Sequence, residues 1–409
     1  MDRSKFVLAG LAILGLSVSL HSAESPEQKD PVWNAQIRLR TEGDGKSTND
    51  TSTFLLSTQM RSRLGVTLTP SPAVEMKLEL QDSRHFGSEP SVLGNATSAT
   101  VGDSKGLDLH QGYVTLKGCG LSVTAGRQSL ALGSERFISS LEWHPVARTF
   151  DGLSARWTSG SSSLTTLGLL VRDVDVRQQD DGDHLAGLHY AYVGSPILNA
   201  EVYGFYDQSR LAYRTQPNYD LVYLGERLKG QAGLVTYEEE FIYQGGETGK
   251  LTSSAFYLAL RVGAKLPKVS GNMGLDMMSG DDKATDGNNH TYNANYYFAH
   301  SFFGWMDYFT ANPTEGVADY RLDVEANPTP AWKLKAEYHF FTPQNAIAAQ
   351  DDPFGSEVDL EFHSLHLAKT DIAFGVGLFF PGDSAIRIPA AKGKDQMGTF
   401  IYLMPTFGF

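Results

Sequence analysis

From Trp33 to Phe409 the chain is a procession of segments about ten residues long in which apolar and polar side chains alternate, separated by turn-forming residues. In the first, Trp33, Ala35, Ile37 and Leu39 share one face while Asn34, Gln36, Arg38 and Arg40 share the other. Later segments repeat this. Phe256, Leu258, Leu260, Val262 and Ala264 oppose Tyr257, Arg261 and Lys265; Trp332, Leu334, Ala336, Tyr338 and Phe340 oppose Lys333, Lys335, Glu337 and His339; Val358, Leu360 and Phe362 oppose Glu357, Asp359, Glu361 and His363. Faces this charged do not suit the core of a sandwich. They suit strands with lipid on one side and water on the other.

The connections alternate between short and long. Short turns are expected at 70–73, 117–120, 158–162, 194–196, 229–233, 266–270, 327–330 and 368–371, and long polar loops at 43–53, 86–107, 131–147, 174–183, 208–218, 245–253, 280–316, 342–354 and 381–396. This predicts an all-β fold, a transmembrane antiparallel up-and-down β-barrel of about 18 strands with short periplasmic turns and long extracellular loops. The count has a latitude of about two, because 219–228 alternates poorly and 296–309 reads either as a strand or as a folded loop. The last strand ends at Phe409, with Phe407, Leu403 and Ile401 in step. It resembles the terminal strand recognised by the barrel-assembly machinery.

Composition narrows the setting. Arg3 and Lys5 precede an apolar run from Phe6 to Leu20 that ends in small residues near Ala23, so residues 1–23 read as a signal peptide and 24–409 as the barrel. No later run approaches the ~18 apolar residues of a spanning helix. The expected surroundings are outer-membrane lipid and lipopolysaccharide. A net charge of −13 excludes a nucleic-acid partner, and the single cysteine, Cys119, lies in a turn and excludes an internal disulfide framework.

Several stretches resemble the alginate export family of outer-membrane proteins: LQDSRHFG (80–87), DLHQGYVTL (108–116), GRQSLALGSERF (126–137), RTFDGLSARW (148–157), SGDD (279–282), HSFFGWMDYF (300–309) and GSEVDL (355–360). Their order and spacing cover most of the chain. The resemblance implies an 18-stranded, monomeric barrel whose founding member passes a polyanionic uronate polymer through an arginine-rich pore, and it supports a channel more strongly than it supports alginate.

Face parity places Arg38, Arg40, Arg61, Arg63 and Arg156 toward the lumen, with Arg127, Arg136 and Arg148 on or beside a segment that lines or enters the pore. A guanidinium stays charged and pairs carboxylates bidentately, so neighbouring arginines can hand an anionic polysaccharide or a small anionic solute from one to the next. Each contact must be weak and replicated for conduction. Lumenal arginines also commonly just pair with lumenal acids. Glu238, Glu240, Glu337, Glu357, Asp359 and Glu361 form the candidate opposing acidic wall, which predicts a transverse field. Loops 131–147 and 280–316 are expected to restrict or gate the pore.

Asp281, Asp282 and Asp286 form a weak calcium candidate without the full loop spacing. The sequence calls for no cofactor and carries no GxSxG, HExxH or phosphate-binding glycine loop, so no enzyme is expected. His363 and His366, three apart on a strand, face opposite sides. The rival readings are a general or sugar-uptake diffusion porin and, more remotely, a barrel enzyme using Trp143, His144, Ser139 and Ser140, or an adhesion scaffold.

Overall fold

The computed structural model describes residues 29–48, 54–86, 105–172, 182–210, 218–283, 285–345, 352–388, 391 and 393–409. The expected signal peptide and much of the expected loops 86–107, 174–183 and 208–218 lie outside them. Eighteen strands follow one another in chain order: β1 (Lys29–Gly45), β2 (Leu55–Ser71), β3 (Val74–His85), β4 (Lys105–Gly118), β5 (Leu121–Gln128), β6 (Phe150–Ser159), β7 (Ser162–Arg172), β8 (Asp183–Val193), β9 (Asn199–Ser209), β10 (Tyr219–Ala232), β11 (Val235–Thr248), β12 (Leu251–Lys265), β13 (Val269–Met278), β14 (Val317–Thr329), β15 (Trp332–Pro343), β16 (Gly355–Ser364), β17 (Thr370–Pro381) and β18 (Gly398–Gly408). Each strand pairs antiparallel with the next, and β1 closes on β18 through Gln36 opposite Gly408 and Thr41 opposite Leu403. Closure leaves no unpaired edge, so every strand can satisfy its backbone across a bilayer.

The period-two pattern does what parity requires. Trp33, Ile37, Leu64, Leu78, Leu116, Val202, Leu224, Leu260, Leu322, Leu360 and Leu403 stand on the outer surface, while Arg38, Arg40, Arg61, Glu240, Glu337 and Asp359 are buried within. All eight predicted short turns fall between strands at the end of the barrel that carries both termini.

One expectation needs correction, and two readings left open are resolved. Residues 245–253 are not a long loop: β11 and β12 run on through them and meet at a tight turn on Gly249–Lys250, with Thr248 opposite Leu251. The small polar residues there read as loop because that hairpin no longer has an apolar face to show. Conversely, 219–228 is a regular strand, and 296–309 is folded loop containing a single helical turn, Ala299–Phe302. The alternation of β10 is obscured because Tyr219, Leu221 and Tyr223 on its inner face are as apolar as Val222 and Leu224 outside.

Those inner apolar residues have a reason. Two long loops, 129–149 between β5 and β6 and 279–316 between β13 and β14, fold into the barrel. Phe137 and Ile138 of the first join Tyr292, Tyr296, Phe302, Phe303, Trp305 and Phe309 of the second in a buried cluster with Tyr203, Phe205, Tyr257, Phe341 and Phe379 of the wall. Aromatic pairs such as Phe137–Phe205 at 4.8 Å and Phe309–Phe341 at 4.7 Å hold it together. Farther toward the short turns the same inner faces become charged, as in the step from Tyr223 to Arg227 and from Tyr257 to Arg261.

Candidate functional site in the lumen

Loop 129–149 crosses the lumen as a strap with oppositely charged ends. At one end Arg136, 1 % exposed, reaches Glu238 at 2.7 Å, Glu240 at 3.1 Å and Asp276 at 3.0 Å and lies over the Phe302 ring. Burial alone would favour its neutral form, but Asp276, Glu240 and Glu238 hold the guanidinium firmly charged. At the other end Glu142 turns to the inner faces of β1 and β2. Its carboxylate takes Arg61 at 3.0 Å and Arg63 at 3.0 Å. Burial pushes the Glu142 carboxyl up, yet Arg61 and Arg63 prevail and hold it below the usual carboxylate range.

The main chain of the strap is held as well. Arg38 donates to the carbonyls of Glu142 (2.7 Å), Trp143 (3.1 Å) and His144 (3.3 Å), Arg40 to that of Trp143 (2.6 Å) and Arg61 to that of Glu142 (3.1 Å). Arg40 also lies 4.3 Å from the centre of the Trp143 ring. Four of the five arginines that parity placed in the lumen, Arg38, Arg40, Arg61 and Arg63, therefore do come together, and the strap is what they grasp.

The second loop leans on the first. Ser139 N–H donates to Tyr296 O at 2.9 Å, and Phe298 N–H to Glu135 O at 3.2 Å. Trp143 stacks on His300 with ring centres 4.0 Å apart. Arg148, half-buried, donates to carbonyls of Ser139, Asn295 and Tyr296, tying the two loops rather than lining a path. At the tip, the Glu357 carboxylate accepts from the N–H groups of Trp305 (2.5 Å) and Met306 (2.9 Å), and Asp359 accepts from Trp305 N–H at 3.3 Å. Gly304 has φ +78°, and a Cβ there would lie 2.5 Å from that carboxylate. Asp307 pairs with His300 at 3.1 Å and with Lys46 at 3.5 Å. Burial opposes its charge, but His300 and Lys46 bring the carboxyl down to about 2.

Below the loops, toward the short turns, lies a cavity of about 310 Å³ lined by Arg136, Arg227, Arg261, Arg321, Lys335 and Glu337 among others. Arg227 pairs with Glu201 at 2.8 Å, Arg261 with Asp276 at 2.5 Å and Arg321 with Glu337. Sequence reasoning passed over this second arginine group. The signal was present in 318–325, where Tyr320, Leu322 and Val324 face out and Asp319, Arg321 and Asp323 face in.

The remaining candidates separate. Arg127 is not lumenal: it stands opposite Gly112 and Asp151 on the outward face shared by Val123 and Ala125, and it grips Asp151 at 2.7 and 2.6 Å. Arg127 was placed by its nearness to the loop that enters the pore, and parity counted along β5 corrects that reading. Arg156 faces inward but is exposed near a short turn, donating to Ser163 at 3.3 Å. Nor are the acids a bare opposing wall. Glu238 and Glu240 bind the strap, Glu337 binds Arg321, Glu357 and Asp359 bind the second loop, and Glu361 takes His363 at 3.1 Å and Tyr402 at 2.5 Å. The acid-rich sector is thus partly compensated by its own arginines.

Asp281 and Asp286 each accept an N–H two residues on, at 2.9 Å, in ordinary turns, and Asp282 is exposed. Among the described residues no three His, Cys, Asp or Glu side chains converge on a metal-sized site. Ser139 donates to Glu135 at 2.7 Å, and His144 Nδ1 accepts from Val146 N–H at 3.2 Å, so both serve the strap's own turns.

Comparison with known proteins agrees with this architecture. The chain is similar in fold to Pseudomonas aeruginosa OccK3 (OpdO), with TM-score 0.64 and 12 % identity over 93 % of this chain and 96 % of that one. It is similar to P. aeruginosa OccK9 (OpdG), with TM-score 0.64 and 14 % identity over 93 % and 98 %. It is also similar to P. aeruginosa OccK2 (OpdF), solved in complex with glucuronate, with TM-score 0.61 and 11 % identity over 93 % and 98 %. No curated protein sequence matches the chain significantly. The family profile described as alginate export matches residues 33–398. A closed 18-stranded barrel with an apolar outer face and a charged, loop-narrowed lumen is an outer-membrane channel, and the chain belongs to the alginate export family.

Proposed function

We propose that this channel passes anionic solutes, carboxylate-bearing sugars foremost, with an alginate-like polymer as the extended case. The observation that carries the reading is the grouping of Arg38, Arg40, Arg61 and Arg63 on the inner faces of two adjacent strands. Guanidiniums so close repel one another and attract carboxylates passing the constriction. Passage is passive, and a polymer requires the two inserted loops to move aside. Residues 1–23 are proposed to be removed on export, the strand ending at Phe409 to be read by the barrel-assembly machinery, and the barrel to work as a monomer among lipid and lipopolysaccharide.

A diffusion porin for small sugars is the second reading. The cavity of about 310 Å³ below the loops favours it, being of monosaccharide scale and lined by acids as well as arginines. Reversal potential and conductance in planar bilayers, with and without oligouronate, separate the two. Anion selectivity with current blocked by oligouronate supports the first; a weakly selective pore indifferent to uronate supports the second.

A further inference from the structure

We propose that Glu142 is a tethered stand-in for the solute's carboxylate: it occupies a carboxylate-binding site formed by Arg61 and Arg63, and solute must displace it to enter the constriction. The proposal rests on the reading that the lumen passes carboxylates.

The geometry is that of a ligand in a site. Both Glu142 carboxylate oxygens lie within reach of Arg63 Nη1, at 3.2 and 3.0 Å, and Arg61 Nη2 reaches one of them at 3.0 Å. The arginines are fixed independently of that carboxylate. Gln36 accepts from Arg61 at 2.9 Å and Gln81 from Arg63 at 2.7 Å, so the site is preformed by the wall. Arg61 is 4 % exposed, and its Nε and Arg63 Nη2 find no hydrogen-bond acceptor among the described residues. Donor capacity thus exceeds what one carboxylate uses. Glu142, by contrast, keeps a side chain 45 % exposed. The site is buried on the wall side and its occupant is open to the lumen, as an exchangeable ligand should be.

The main chain at Glu142 and Trp143 is also held by Arg38 and Arg40, which do not touch the Glu142 carboxylate. The side chain can therefore swing away while the strap stays. A tethered carboxylate competes at an effective concentration on the order of millimolar. The apparent affinity for solute is reduced by the fraction of time that the site is filled from within. The pore then rejects weak single anions and admits a solute that offers carboxylates repeatedly, since each can take the site as Glu142 leaves.

The test is Glu142→Gln in the full-length protein in planar bilayers, read by block with trigalacturonate and by reversal potential in a potassium chloride gradient. The amide keeps the shape but not the charge. We expect trigalacturonate to block the variant at roughly tenfold lower concentration than wild type, the reversal potential to move toward that of chloride, and Glu142→Asp to stay near wild type. In a protein carrying Arg61→Gln and Arg63→Gln, Glu142→Gln should change neither. Unaltered block and unaltered reversal potential in Glu142→Gln overturn the inference while leaving a uronate channel standing. A shift in reversal potential with no block of any form by trigalacturonate supports the inward-facing carboxylate site and overturns the choice of uronate as solute.

Discussion

The two ends of the strap put the same kind of bond in opposite surroundings. Arg136 is sealed among Glu238, Glu240 and Asp276, while Glu142 meets Arg61 and Arg63 with nearly half its side chain open to the lumen. A buried charge that loses its partners cannot be rescued by water, whereas an exposed one can. The Arg136 end is therefore an anchor and the Glu142 end a clasp. Both ends pair opposite charges; burial decides which one lets go.

The largest effect expected is from Arg136→Ala, which takes a shared partner from three acids in the wall. About 3 kcal/mol of stability is lost, the low end for breaking a buried pair, because Arg227 and Arg261 remain beside Glu238 and Asp276. Thermal unfolding in detergent micelles measures it, and single-channel recordings should show a larger, noisier conductance. No fall in stability would mean that the Arg136 end is no anchor.

Next comes Gly304→Ala, which puts a side chain at φ +78° against the Glu357 carboxylate. It should cost about 1–3 kcal/mol and free the tip of the second loop without touching the strap. A gain in conductance with unchanged ion selectivity is the expected signature.

Acid should open the clasp before the anchor. The folded-state pKa of Glu142 is depressed, so its stabilisation is present at neutral pH and is lost as pH falls through the folded value, below the ~4.3 of a free glutamate. Conductance should rise as pH falls through that value, and Glu142→Gln should abolish the clasp's part of that rise. An identical acid response in the variant assigns it to other carboxylates.

Smallest of all is Arg127→Gln. Its partner Asp151 is on the outward face, so reversal potential should not move and stability should change by no more than about 1 kcal/mol. A shift in selectivity would return Arg127 to the lumen.

The sequence by itself determined the barrel: strand number, the eight short turns, the closed antiparallel order and the inward direction of Arg38, Arg40, Arg61 and Arg63 all follow from a period of two, which each strand carries within its own residues. Its pattern was weak at 219–228 and Arg227 there was missed, because the inner face of β10 takes its polarity from what covers it. What covers it is a loop about 70 residues farther along the chain, as Tyr223 bonding Asn293 shows. Only the tertiary structure decided what the lumenal charges do. Glu142 is 79 residues from Arg63 and Arg136 is 140 from Asp276. Pairing over such distances leaves no local pattern, since it is set by which loops enter the barrel and where closure brings the walls to meet them.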